Sequence, residues 1–318
     1  MQQQPRIMRN VLIENIFTRM HGDERIMFLS ADFGAPALDK LKEKFSDRFI
    51  NVGIAEQNLI NVATGFALEG FIVYAYAVSA FITMRCYEQI RTNLSLMAQT
   101  KPLNVNLIGV SAGLSYNVSG PTHHCLEDLT LMRLLPNFTT FVPSDCTLVE
   151  KFVDNTLTVH KPKYLRLEGK AVAEIYKGDE VNFEDGFCEL KRGKDGIGIV
   201  STGYMTHKAL KIAEILGERN VDVGVVDVFM LKPLNEDALC NTLKKYRKLV
   251  TLEEGFIHGG GLDSLISGIR SNDSGEIKRM GFSERHVFEL GSREYLHKLN
   301  GIDEESIVNT INEMRKGS

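Results

Sequence analysis

Short apolar runs alternate with longer segments of helical spacing along the first half of this chain. MRNVLIENIFTRM carries Val11, Leu12, Ile16 and Met20 at helical spacing and predicts a helix that HGDER closes. RIMFLSAD then reads as a buried strand ending at Asp32, followed by strands at DRFINVG, FIVYAYAV, PLNVNLIGV and FTTFVP. Between them, AEQNLINVATGFALEG predicts a helix stopped by Gly70, and a further helix surrounds CYEQIRTNLSLMAQ. Strands that are apolar on both faces and alternate with helices imply a parallel sheet covered on both sides.

The texture changes at GDEVNFEDGFCELKRGKDG, which is polar and rich in Gly and Asp. This predicts a first domain over 1–177, a linker over 178–194 and a second domain over 195–318. Beyond the linker the α/β pattern restarts. GIGIVSTG, VDVGVVDVF and KLVTLEEG read as strands, and SLISGI opens a helix. HKALKIAEILGERN predicts a helix with Ala209, Ile212, Ala213 and Leu216 on one face.

Composition narrows the partners. A net charge of −4 gives no reason to expect nucleic acid or an anionic membrane. No apolar run reaches the length of a membrane span, and MQQQPRIMRN lacks the apolar core of a secretory signal. The five cysteines are odd in number and scattered, with no CxxC, and read as reduced thiols of a cytoplasmic protein.

Chemistry concentrates in three segments. FINVGIAEQN puts Glu56 where an apolar strand turns into a helix, a place that the helix dipole alone favours for an acid. GPTHH is a tight turn delivering His123 and His124 ahead of a helix over 126–131, where a histidine also serves simply as a cap or surface residue. SAFITMRCYEQIR is dense in apolar side chains, with Phe81 and Tyr87 as its aromatics, a composition equally suited to plain core.

Together these segments resemble the pyrimidine-binding half of a thiamine-diphosphate enzyme of the transketolase family. STGYMTHKALKIAEIL, VDVFMLKPL and LEEGFIHGGGLDSLI are similar to that family's C-terminal domain. The resemblance implies two parallel-sheet α/β domains, the first binding the cofactor's aminopyrimidine. It makes Glu56 the residue that faces N1′ and controls the tautomer, because the cofactor supplies the electron sink and the protein supplies proton control and position. It makes His123 a donor and proton shuttle at the substrate carbonyl and C1 hydroxyl. Phe81, Tyr87, Ile54 and Asp32 join Glu56 as cofactor-side residues, with a strand-end cap as the alternative for Asp32. His124 stands where relatives often have Gln, and its role is open. HGGG at 258–261 has no GxSxG nucleophile beside it and reads as a tight turn.

The resemblance also exposes what is missing. Family members hold the diphosphate through an oxygen-ligated divalent metal at GDG followed by Asn, and this chain has no GDG. Thiamine diphosphate and Mg2+, or another divalent cation, are therefore expected at a site completed by a separate N-terminal subunit, in an α2β2 heterotetramer, with no metal ligand from this chain. Arg9 matches a phosphate-binding arginine of the family. The other expected anion contacts are replaced, by Pro36, by a residue near Gly109, by Ser119 and by Gly169, with Lys170 next to it. Substrate contacts thus fall to Arg9, His123, His124, Ser119 and Lys170. Loss of bidentate guanidinium contacts predicts weak recognition of a terminal phosphate. The expected activity is transfer of a two-carbon ketol unit to an atypical acceptor. The alternatives are a pyruvate-using relative, similar to deoxyxylulose-phosphate synthases or to the β subunit of 2-oxo acid dehydrogenases, and a non-catalytic regulatory subunit.

Overall fold

A computed structural model of the chain describes residues 4–177, 181–271 and 275–316. It contains two sheets. The first is built from β1 (Ile26–Ser30), β2 (Phe49–Asn51), β3 (Ile72–Val78), β4 (Val105–Val110), β5 (Thr139–Phe141) and β6 (Lys163–Leu167). The second contains β7 (Phe187–Lys191), β8 (Ile197–Ser201), β9 (Gly224–Val228), β11 (Lys248–Phe256) and β12 (Glu276–Phe282). The short strand β10 (Met230–Lys232) leaves the second domain's chain and pairs antiparallel with β5, completing the order β10-β5-β6-β4-β3-β1-β2.

Every residue of β3 is buried, and the pleat explains why the run FIVYAYAV has no polar face. Ile72, Tyr74 and Tyr76 enter one core with Phe28 and Leu12, whereas Val73, Ala75 and Ala77 enter the opposite core with Ile60 and Ala63. The second sheet repeats this with Ile199 and Val225 on one face and Val200 and Val226 on the other. The helix Met205–Glu218 buries Ala209, Ile212, Ala213 and Leu216, as its spacing predicts.

Two features refine the sequence reading. Both sheets are mixed, because β10 and β7 pair antiparallel with β5 and β9. The stretch read as a linker contains β7, whose alternation places Cys188 and Leu190 against apolar neighbours while the segment stays polar overall. Residues 178–180 of that stretch lie outside the described residues. None of the five cysteines is in a disulfide.

The domains are joined by buried polar groups. Asp227 on β9 accepts from Ser144 Oγ at 2.6 Å, Tyr176 Oη at 2.8 Å and Thr206 Oγ1 at 2.7 Å. Complete burial pushes its carboxyl from the usual 3.8 up to about 7, although the three hydroxyls pull the other way. The folded state therefore holds this proton over a range in which the unfolded chain has released it. The contribution to stability is complete below about pH 4 and is lost as pH rises towards 7. Asp227→Asn should remove that loss. Urea unfolding of both proteins at acid and at mildly alkaline pH should show the native chain weakening relative to the variant as pH rises; parallel profiles would refute it.

Candidate active site

The functional segments meet at one edge of the first sheet because each follows the carboxyl end of a parallel strand. Asp32 and Phe33 follow β1, Gly53 to Glu56 follow β2, Phe81 follows β3, the loop Ser111 to His124 follows β4, and Gly169 and Lys170 follow β6. The strand order reverses between β1 and β3, and the crevice at such a switch point is where open α/β sheets bind ligands.

Glu56 is the first residue of the helix Glu56–Leu68 and is 2% exposed. Its Oε2 accepts from Arg85 Nη1 at 2.7 Å. The Arg85 guanidinium also lies 4.5 Å from the centroid of the Phe81 ring. Phe81 and Arg85 are the ends of a π-helical turn, Phe81–Arg85, and such turns recur at functional sites. Phe81 packs edge-on to His123, with centroids 5.2 Å apart, and His123 Nδ1 is 3.0 Å from Thr122 Oγ1. Glu56, Arg85, Phe81 and His123 thus form one contiguous group. Arg85 escaped sequence reasoning because a lone helical arginine reads as solvated surface.

The other predicted residues divide. Asp32, with φ 55°, accepts from Asn51 Nδ2 at 2.8 Å and ties the β1 loop to the β2 loop, which fits the strand-end alternative. Asn51 Oδ1 also accepts from the Gly53 N–H at 3.0 Å, so this pair braces the turn leading to Glu56. Ile54, in that turn, is 76% exposed. Tyr87 donates to Leu131 O at 3.1 Å and packs in the core behind the site. His124 is buried, neither ring nitrogen makes a well-formed hydrogen bond among the described residues, and burial lowers its pKa and favours the neutral ring. Ser119 is exposed on the turn. Lys170 directs Nζ to Asn117 Oδ1 at 2.9 Å, so its ammonium is engaged. Arg9 donates to Asn10 Oδ1 at 3.1 Å and lies beside Tyr76, whose phenol burial pushes up and Arg9 pulls down.

The altered anion positions have packing reasons. A Cβ at Gly109 would come within 2.6 Å of the Tyr164 ring, so this residue sits inside the sheet and not on the substrate path expected for it. A side chain at Gly169 would meet Ser111 Oγ at 2.8 Å and Ser115 Cβ at 3.2 Å, which leaves no room for an arginine. Pro36 starts the helix Pro36–Lys44, where its missing N–H costs nothing.

A glutamate held at a helix start beside a half-buried aromatic ring fits an aminopyrimidine, which needs a carboxyl on its edge and a flat apolar neighbour. No cluster of three His, Cys, Asp or Glu side chains suited to a metal occurs among the described residues. No helix among them is long and apolar enough to cross a membrane.

Comparison with known proteins narrows the class. Residues 5–173 match the transketolase pyrimidine binding domain and residues 186–307 the transketolase C-terminal domain. The chain belongs to the transketolase family. It is 30% identical to an apulose-4-phosphate transketolase subunit of Actinobacillus succinogenes, over 94% of this chain and 95% of that protein. It is 28% identical to the 6-deoxy-6-sulfo-D-fructose transketolase subunit SqwH of a Clostridium species, over 96% and 94%. A solved split gene transketolase, an inactive beta4 tetramer, is 30% identical with a TM-score of 0.84, covering 96% of this chain and 97% of that one. Against the full-length transketolase of Rattus norvegicus, the match covers 92% of this chain and 46% of that protein.

Proposed function

We propose that this chain is the C-terminal subunit of a split transketolase-like enzyme. It moves a two-carbon ketol unit from a ketose donor to an aldehyde or sugar acceptor that lacks the usual terminal phosphate. The convergence of Glu56, Arg85, Phe81 and His123 at the carboxyl edge of the first sheet carries this reading.

Thiamine diphosphate, when bound, supplies the electron sink for cleaving the ketose C2–C3 bond. The Phe81 ring would flank the aminopyrimidine, and Glu56, itself 2% exposed, would hold a proton at its N1′. His123 donates to the substrate carbonyl and moves a proton at the neighbouring hydroxyl, steered by Thr122.

The diphosphate and its Mg2+ belong to an N-terminal partner with GDG and Asn, in an α2β2 assembly within the cytoplasm. The apolar side chains Ile54, Val118 and Leu290, each more than half exposed, give the partner a docking face around the site. Leu290 lies against the Gly120 turn, so that face borders His123. The naming of two nearly full-length relatives as subunits supports a partner, and a relative's inactive beta4 tetramer supports inactivity of this chain alone. Those relatives are named for apulose 4-phosphate and for a sulfofructose, which supports an uncommon sugar here. The crowding around Gly169 and the proline at position 36 support an acceptor without a terminal phosphate.

The purified chain alone should show neither ketol transfer nor metal-dependent cofactor binding, and both should appear on adding the partner that carries GDG. Activity or binding by the single chain would overturn the split reading. Hydroxypyruvate should serve as donor and pyruvate should not. For the assembled enzyme, kcat/KM towards ribose 5-phosphate should fall below about 10⁴ M⁻¹s⁻¹, the lower end for efficient enzymes; a higher value would overturn the acceptor assignment.

A further inference from the structure

Beyond His123 the crevice continues as a line of aromatic rings drawn from separate strand ends. Tyr116, from the loop after β4, faces His123 edge-on with centroids 6.1 Å apart. Phe33, from the loop after β1, meets Tyr116 at 6.5 Å and stacks on Tyr76 at 5.5 Å. Arg9 stands beside Tyr76 at the far end. Phe33, Tyr116 and His123 are each half-buried, with ring surface left to meet a ligand. The cations elsewhere around this path are committed: Lys170 to Asn117, and Arg85 to Glu56.

We infer that Phe33 and Tyr116 determine acceptor specificity, taking the non-reacting end of the acceptor by stacking on a flat apolar face instead of pairing with a charge. This rests on the ketol-transfer reading above. The residues follow His123 at one and two rings' remove, and no ring contact joins either of them to Phe81 among the described residues, so they meet the acceptor's tail and not its aldehyde. A flat apolar face has two chemical sources. One is the C–H face of an uncharged aldose or deoxyaldose, and the other is the heteroaromatic base of a nucleotide-linked sugar. Aromatic faces accept both, because stacking is tolerant of identity. Arg9 leaves room for a charge only past the rings.

The test uses the assembled enzyme with Tyr116→Ala and Phe33→Ala, and with Tyr116→Phe and Phe33→Leu as conservative partners. Consumption of hydroxypyruvate without acceptor, a donor with no sugar tail beyond the cleaved bond, should be unchanged in all four. KM for the best acceptor should rise roughly tenfold in the alanine variants with kcat nearly constant, and Tyr116→Phe should restore it. Saturation-transfer NMR with sugar alcohols and with free nucleotides, each unable to react, identifies the source: whichever contacts the native enzyme should lose contact in Tyr116→Ala. Unchanged KM and unchanged NMR contacts in both alanine variants would overturn the inference. If Phe33→Ala does not fold, Tyr116→Ala and Phe33→Leu carry the comparison. Absence of donor consumption by the native assembly would instead overturn the ketol-transfer reading itself.

Discussion

Glu56→Gln in the assembled enzyme is expected to lower turnover by about 10²-fold or more while leaving the fold intact, in the range lost when a positioned acid–base group is removed. The amide preserves the shape of the side chain, and its Oε1 can still accept from Arg85, which holds Glu56 Oε2 at 2.7 Å in the native chain. An amide cannot release and retake the proton that sets the aminopyrimidine tautomer. Exchange of the C2 hydrogen of bound cofactor, followed by NMR, reads this step directly. An unchanged exchange rate would sink the assignment. His123→Ala provides the contrast, because its role is with the substrate: exchange should persist while substrate steps slow.

Arg293→Met is expected to cost stability on the order of 3–5 kcal/mol, the range for breaking a buried ion pair from one side. Arg293 lies at the start of the helix Arg293–Leu299 and is 3% exposed. Its Nε donates to Glu254 Oε1 at 2.6 Å, and its Nη2 reaches Glu254 Oε2 at 2.5 Å and Glu168 Oε2 at 2.9 Å. Its guanidinium also lies 3.5 Å from the Tyr204 ring centroid. Burial pushes the Glu254 carboxyl upward, but Arg293 and His297 outweigh it and hold the group well below its ordinary value. Without the guanidinium, two buried acids face each other across the domain boundary. Denaturant unfolding should show the loss, and Glu254→Gln in the same chain should recover part of it by removing one uncompensated charge. A variant as stable as the native chain would mean that water reaches the pair. Glu168 is also bound to Ser115 Oγ at 2.6 Å and to the Lys170 N–H at 3.1 Å, so the same change should loosen the loop carrying Tyr116.

Much of this architecture is local and was therefore legible in the sequence. The strands β1 to β4 and the helical segments after β2, β3 and β4 follow from apolar period and turn residues, which act over a few positions. Glu56 at a helix start and His123 on a Gly-Pro turn were visible for the same reason. Helices at Pro36–Lys44 and Cys146–Thr158 went unread, although Pro36 and the Asp145 cap, which accepts from the Leu148 N–H, mark their starts.

What only the tertiary structure decided are the contacts between distant segments. Arg85 meets Glu56 because a π-helical turn after β3 faces the helix after β2, and no periodicity encodes that approach. His124 and Lys170 read as substrate groups in sequence, yet packing turns one inward and engages the other with Asn117. Phe33 and Tyr116 are more than eighty positions apart and become neighbours because β1 and β4 end at the same edge of one sheet. The amino-acid order determined the elements and the chemical groups that each strand end carries. Which groups share a crevice was set by strand order and side-chain packing, since those depend on burying both faces of the sheet at once.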